Sequence, residues 1–126
     1  MRFTGWLGRD EAVIWLAHAS LLVFPSYGPE SLSRVLLESA ALGVPIAAMN
    51  TGGTIDIVRH EQTGLLSSTP TELGDHVARL VADRALAARL ANQARADVER
   101  HFEAASVVAQ IEALYAALTG GGAAHA

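Results

Sequence analysis

The 126 residues include no cysteine. Disulfides and thiolate metal sites are therefore excluded, and the composition fits a reducing, cytoplasmic location. Basic charge is also scarce: 9 Lys+Arg stand against 13 Asp+Glu, for a net charge of -4. Without a basic stripe to neutralise phosphates, a nucleic-acid partner is not expected. No apolar run approaches the roughly 20 residues of a membrane-spanning helix. The opening Met1-Arg2-Phe3-Thr4-Gly5 lacks the charged-then-apolar layout of a signal peptide. Charged residues amount to only 17%, which argues against a disordered acidic tail or a coiled coil.

What is present is apolar: 51% of the chain is hydrophobic, enough for one domain with a core and too little chain for two. Phe3 to Leu7 reads as a short strand, and Asp10 as the N-cap of a helix running to about His18. Leu21-Leu22-Val23-Phe24, stopped by Pro25, has the continuous apolar character of a strand buried on both faces. A turn-rich loop, Ser26 to Glu30, leads into a helix from about Ser31 to Leu42, with Gly43 after its end and Pro45 unable to continue it. Ile46 to Met49 is the next strand. Asn50-Thr51-Gly52-Gly53 is the next loop, and a short helix follows from Thr54 to Arg59. Thr63-Gly64 turns into the strand at Leu65-Leu66. Helices follow from a cap at Thr69 or Thr71, then over 84–102 and 104–118. Trp15 and Phe24 are expected in the core. Thr119 to Ala126 is expected to be a disordered tail, which leaves residues 1–118 as the domain.

Strands alternating with helices predict an α/β fold, a Rossmann-like parallel sheet with flanking helices. Ligands of such sheets bind at the carboxyl ends of the strands, which directs attention to the loops at 25–30 and 50–54. The first of these opens the most informative stretch in the chain. Glu30 lies just before the predicted helix, and Glu38 lies about two turns inside it. Between them, the N–H groups of Ser31, Leu32 and Ser33 would be free at the positive end of a helix dipole. Carboxylate, anion cradle, carboxylate suits a ligand with hydroxyls at both ends and phosphates in the middle. The spacing alone fits better a plain helix-start charge at Glu30 and a solvated i, i+4 pair of Arg34 with Glu38.

The wording of the whole stretch adds to the spacing. Pro25-Ser26, Glu30-Ser31-Leu32-Ser33 and Leu37-Glu38-Ser39-Ala40-Ala41-Leu42-Gly43-Val44-Pro45-Ile46 are followed by Gly52-Gly53-Thr54-Ile55-Asp56-Ile57-Val58 and Thr63-Gly64-Leu65-Leu66. In order and spacing this resembles the donor-binding, C-terminal half of GT-B glycosyltransferases, in particular the retaining family 4. The resemblance implies transfer of a sugar from a nucleotide diphosphate sugar (UDP- or GDP-sugar) to an unknown acceptor, with no metal and no cofactor. It implies that Glu30, the candidate catalytic residue, hydrogen-bonds hydroxyls of the transferred sugar. Glu38 would take the ribose hydroxyls. Backbone N–H groups of Leu32, Ser33 and Arg34 would face the diphosphate, with Ser31 beside them. Trp6 and Leu7 would lie near the base, and Gly52 and Gly53 would allow a tight turn beside the site.

The sequence departs from the family pattern in three places. Ser31-Leu32-Ser33 stands where Gly-Phe-Gly is usual, Arg34 replaces an apolar residue, and Asp56 replaces a Glu. Arg34 reads equally as a phosphate neighbour and as the surface partner of Glu38. Two further βα units, with the Arg and Lys of the diphosphate clamp, and the acceptor domain find no counterpart in these residues. The expectation is an incomplete donor-binding half with little or no activity alone. Its strand at 21–24 would have an open edge that invites self-association or pairing with a chain carrying the other half. The alternative is a non-enzymatic interaction module or split-enzyme subunit. Other chemistry finds no support: His60-Glu61 has no second histidine at helical spacing, and no Gly-x-Ser-x-Gly elbow is present.

Overall fold

A computed structural model of the chain describes residues 1–29 and 31–120. Its order is α1 (Arg9–Ala17), β1 (Leu22–Phe24), α2 (Arg34–Leu42), β2 (Ile46–Met49), α3 (Thr54–Ile57), β3 (Leu65–Ser67), α4 (Pro70–Ala82), α5 (Arg84–His101) and α6 (Ala104–Gly120). The three strands form one parallel sheet in the order β1-β2-β3. Leu22 lies opposite Ile46, and Ala47 opposite Leu65. Parallel neighbours need a crossover between them. α2 supplies the first, and α3 with the turn after it supplies the second.

The central strand β2 is buried along its whole length. Its residues alternate between the two faces, as a strand requires. Ala47 and Met49 join Leu65, Leu73, Leu80, Leu86, Ala87 and Leu90 on one side. Ile46 and Ala48 join Leu36, Ala40, Ile57, Val58 and Ala94 on the other. α5 serves both clusters. Leu86, Ala87 and Leu90 pack in the first, while Ala94, Val98 and, at the C-cap, Phe102 pack in the second. Beside Val98, the mostly buried Asp97 accepts hydrogen bonds from Arg59 and from Gln93 Nε2 (3.2 Å), which ties α5 to the segment after α3.

The helix ends follow their local chemistry. α2 stops at Gly43, whose φ of 71° is left-handed and free of cost for glycine. The amides of Gly43 and Val44 then close back on Ala40 O (3.0 Å) and Ser39 O (2.9 Å). α4 opens on a reciprocal cap. Thr69 Oγ1 accepts from the Glu72 amide (3.2 Å), and the Glu72 carboxylate accepts from the Ser68 amide (2.6 Å). Pro70 takes the first helical position, where a missing N–H costs nothing.

Several expectations need correction. Phe3 to Leu7 is not a strand: no described residue pairs with it, and Phe3 and Trp6 are 83% and 99% exposed. Gly8, not Asp10, caps α1, which buries none of its residues. Trp15 is half exposed on α1, beneath the Arg2 guanidinium at 5.9 Å, whereas Phe24 does pack against the core. β1 is not buried on both faces. It stands at one edge of the described sheet, and Val23 is exposed. α2 begins three residues later than the expected Ser31, and α3 ends at Ile57. α6 reaches Gly120, so the expected tail overlaps the helix at Thr119 and Gly120, and its remainder, 121–126, lies outside the described residues. No described helix is long and apolar enough to cross a membrane.

Candidate functional site

Pro25 and Asn50 follow β1 and β2, so the two loops of interest leave the sheet side by side at its carboxyl end. The loop after β2 is tightly built. The Asn50 amide extends the ladder to Ser67 O (2.8 Å), the Thr51 amide bonds Met49 O (3.0 Å), and the Thr54 amide bonds Thr51 O (3.0 Å). Gly52 adopts a φ of 46°, in the left-handed region that an L side chain resists. Gly53 has an ordinary φ and is needed for another reason. A Cβ there would sit 2.8 Å from the Ser31 carbonyl carbon and closer still to its oxygen. The Gly-Gly pair therefore does two jobs, a turn at Gly52 and a close approach at Gly53.

α2 begins at Arg34, and its first helical bond runs from the Leu37 amide to Ser33 O (3.4 Å). The amides of Arg34, Val35 and Leu36 precede it and have no partner within the helix. Ser33 occupies the N-cap, is buried, and makes no capping bond with its side chain. The first-turn amides of the helix are thus those of Arg34, Val35 and Leu36, not the expected Ser31-Leu32-Ser33, and no bond to them is made among the described residues. The reason is local: Ser33 keeps an extended backbone, with φ -82° and ψ 118°. Ser31 and Leu32 are exposed beside the loop.

Glu38 lies one turn inside α2, at the i+4 position from Arg34. Its Oε1 stands 3.6 Å from Arg34 Nη2 and 3.9 Å from Arg9 Nη2, and its side chain is 32% exposed. Both distances exceed hydrogen-bond length, so these are charge contacts. Both arginine side chains are mostly solvated, and such pairs contribute about 0.2–1 kcal/mol. The carboxylate is therefore weakly held and can accept from a ligand hydroxyl. The Arg34–Glu38 pair exists as the surface reading had it, and the same geometry leaves Arg34 at the helix N-terminus beside the free amides.

The remaining candidates are dispersed. Trp6 projects into solvent and Leu7 is half-buried, both before α1. Glu30 lies outside the described residues. Two residues escaped sequence reasoning. Arg9 reaches Glu38 from α1, and Thr51 Oγ1 donates to Ser26 O (3.1 Å) across 25 residues of chain. No local spacing signals either contact. A cavity of about 410 Å³ opens at the opposite, amino end of the strands, near Ser20, Pro45, Leu80 and Arg84. It touches none of the candidate residues. Among the described residues, no three histidine or acidic side chains gather as a metal site would need.

The family model for glycosyl transferases group 1 matches residues 1–97. The chain belongs to that family. Among curated relatives it is 31% identical over 112 residues to N-acetyl-alpha-D-glucosaminyl L-malate synthase of Bacillus anthracis, covering 87% of this chain and 29% of that protein. It is 37% identical over 93 residues to D-inositol 3-phosphate glycosyltransferase of a Nocardioides species, covering 72% of this chain and 20% of that one. Among solved structures, sucrose-phosphate synthase of Thermosynechococcus elongatus superposes with a TM-score of 0.82 at 29% identity, over 96% of this chain and 31% of the synthase. Anabaena HepE in complex with UDP gives 0.77 at 26% identity, over 82% of this chain and 29% of HepE. The chain thus spans less than a third of each of these glycosyltransferase relatives. Its parallel sheet with flanking helices is the Rossmann-like architecture of GT-B glycosyltransferases.

Proposed function

We propose that this glycosyltransferase-family chain carries a nucleotide-sugar donor surface at the start of α2. In the proposed reading, the free amides of Arg34, Val35 and Leu36 and the positive end of the helix face the diphosphate of a UDP- or GDP-sugar. Glu38 accepts from the ribose hydroxyls, and Glu30, by the family resemblance, from hydroxyls of the transferred sugar. Ser31, Leu32 and Ser33 lead the backbone past the ligand, and Trp6 and Leu7 lie toward the base. The reaction is transfer to an acceptor hydroxyl with retention at the anomeric carbon. Charge develops on the departing diphosphate, and oriented amides in a fixed frame stabilise it without reorganising.

The observation that carries this reading is the pairing of an uncapped helix N-terminus with a carboxylate one turn inside it that lacks close donors. Both lie at the carboxyl end of the sheet, where α/β folds bind ligands. Support also comes from Anabaena HepE, a structural neighbour solved with UDP and with UDP-glucose. Turnover, in this reading, needs surfaces beyond the portion of the relatives that these residues span, so the chain alone transfers little or no sugar.

Titration calorimetry with UDP and GDP tests the donor surface. The unsubstituted chain binds one of them, and Glu38→Gln binds it about tenfold more weakly, as expected for losing a charge-assisted acceptor. Equal, negligible binding by both proteins refutes the reading. Measurable turnover of a nucleotide sugar by the chain alone refutes its dependence on further surfaces.

A further inference from the structure

The α2 N-terminus is a free helix end, and its usefulness depends on what holds the segment in front of it. Among the described residues, that segment is not held by hydrogen bonds of its own. Ser33 makes no capping bond, and Ser31 and Leu32 are exposed. It is held by the neighbouring loop, the one after β2. Thr51 is fixed there by the Met49 and Thr54 backbone, so its Oγ1 is a donor at a set position. That hydroxyl donates to Ser26 O at 3.1 Å, and the bare face of Gly53 lies directly against the Ser31 carbonyl. One closely hydrogen-bonded loop therefore touches the segment at both Ser26 and Ser31.

We infer that Thr51 is a positioning residue that sets where the free amides of α2 stand. This rests on the donor-surface reading of those amides. The hydroxyl's hydrogen bond is to Ser26 O and not to α2, so its effect passes through Ser26 and the segment that follows. A hydrogen bond from a half-buried donor is a modest device, but it acts where the backbone has few other ties. A bound diphosphate has to meet several amides together, and a segment free to drift meets them less often.

The test compares Thr51→Val, which keeps the shape and loses the donor, with Thr51→Ser, which keeps the donor. Amide relaxation on the ¹⁵N-labelled chain reads the order parameters of Ser26, Ser31 and Ser33 without any ligand. Calorimetry with UDP and GDP reads affinity, and denaturant unfolding checks that all three proteins fold alike. The expected result has lower order parameters in Thr51→Val and a three- to tenfold loss of nucleotide affinity. Both return in Thr51→Ser, with little change in unfolding midpoint. Unchanged order parameters in Thr51→Val overturn the positioning role whether or not nucleotide binds. So does a loss of affinity that Thr51→Ser fails to restore. Absence of UDP and GDP binding by the unsubstituted chain refutes instead the donor-surface reading, and the order parameters still decide what Thr51 holds.

Discussion

Replacing Gly53 by alanine would place a methyl group against the Ser31 carbonyl, 2.8 Å from its carbon and nearer its oxygen. Real Cβ atoms do not approach that closely, so one backbone must move. Gly53 itself has little freedom, because the Thr51 amide and carbonyl and the Asn50 amide are all engaged. Ser31 is exposed and moves more easily, by on the order of 1 Å. Overpacking of this kind costs about 1–3 kcal/mol. The lower end applies if Ser31 yields and the upper if the Thr51–Ser26 bond is lost as well. Gly43→Ala provides the matched control. There a Cβ meets nothing within 4 Å, and the whole penalty, about 1 kcal/mol, comes from a φ of 71°. Denaturant unfolding of the two variants gives the costs, and amide chemical shifts give the location. Gly53→Ala should shift the Ser31, Ser33 and Arg34 amides. Gly43→Ala should leave them in place and perturb the end of α2. A Gly53→Ala chain with unchanged stability and unchanged Ser31 shifts would refute the close approach and with it the joining of the two loops.

Three other substitutions probe the rest of the molecule. Leu90 is fully buried in the cluster between α4, α5 and the sheet, so Leu90→Ala should cost about 2–5 kcal/mol in denaturant unfolding. Leu114 on α6 is 60% exposed, and Leu114→Ala should stay within about 0.5 kcal/mol; comparable losses at the two sites would contradict the assigned core. Glu61 bonds Arg79 through both carboxylate oxygens, and that hydrogen bonding holds its pKa below the ordinary 4.5. A lowered folded-state pKa contributes stability above the unfolded value and loses it as pH falls through the folded value. The stability gap between the unsubstituted chain and Glu61→Gln should therefore be full at neutral pH and close progressively on acidification below 4.5. A gap that widens with acid would show the ion pair to be misassigned.

The sequence carried a large share of the fold because its elements are specified locally. The apolar run Ile46 to Met49 and Gly43 behind a helical stripe each need only neighbouring residues to be recognised, and each stands where the pattern put it, while of the two caps left open, Thr69 and Thr71, the structure takes Thr69. Phe3 to Leu7 failed for the complementary reason. Its apolarity is compatible with a strand, but a strand exists only against a partner, and none pairs with it. Trp15 failed likewise: helical spacing set it on α1, but that helix buries no residue in the described structure.

The candidate site divides in the same way. Sequence alone put Glu38 inside the helix after the first apolar strand and a Gly-Gly pair after the second, since spacing and order along the chain are properties of the string. Tertiary structure decided where they stand. It started α2 at Arg34, so the first-turn amides are those of Arg34, Val35 and Leu36, because the backbone at Ser33 stays extended. It brought Arg9 to Glu38 and Thr51 to Ser26 across 29 and 25 residues of chain. It also separated the roles of two adjacent glycines, one needed for its φ and one for the carbonyl beside it. The cysteine-free, weakly charged composition excluded whole classes of chemistry before any fold was known. Contacts between distant loops depend on where the sheet places them, and no local pattern of residues encodes that distance.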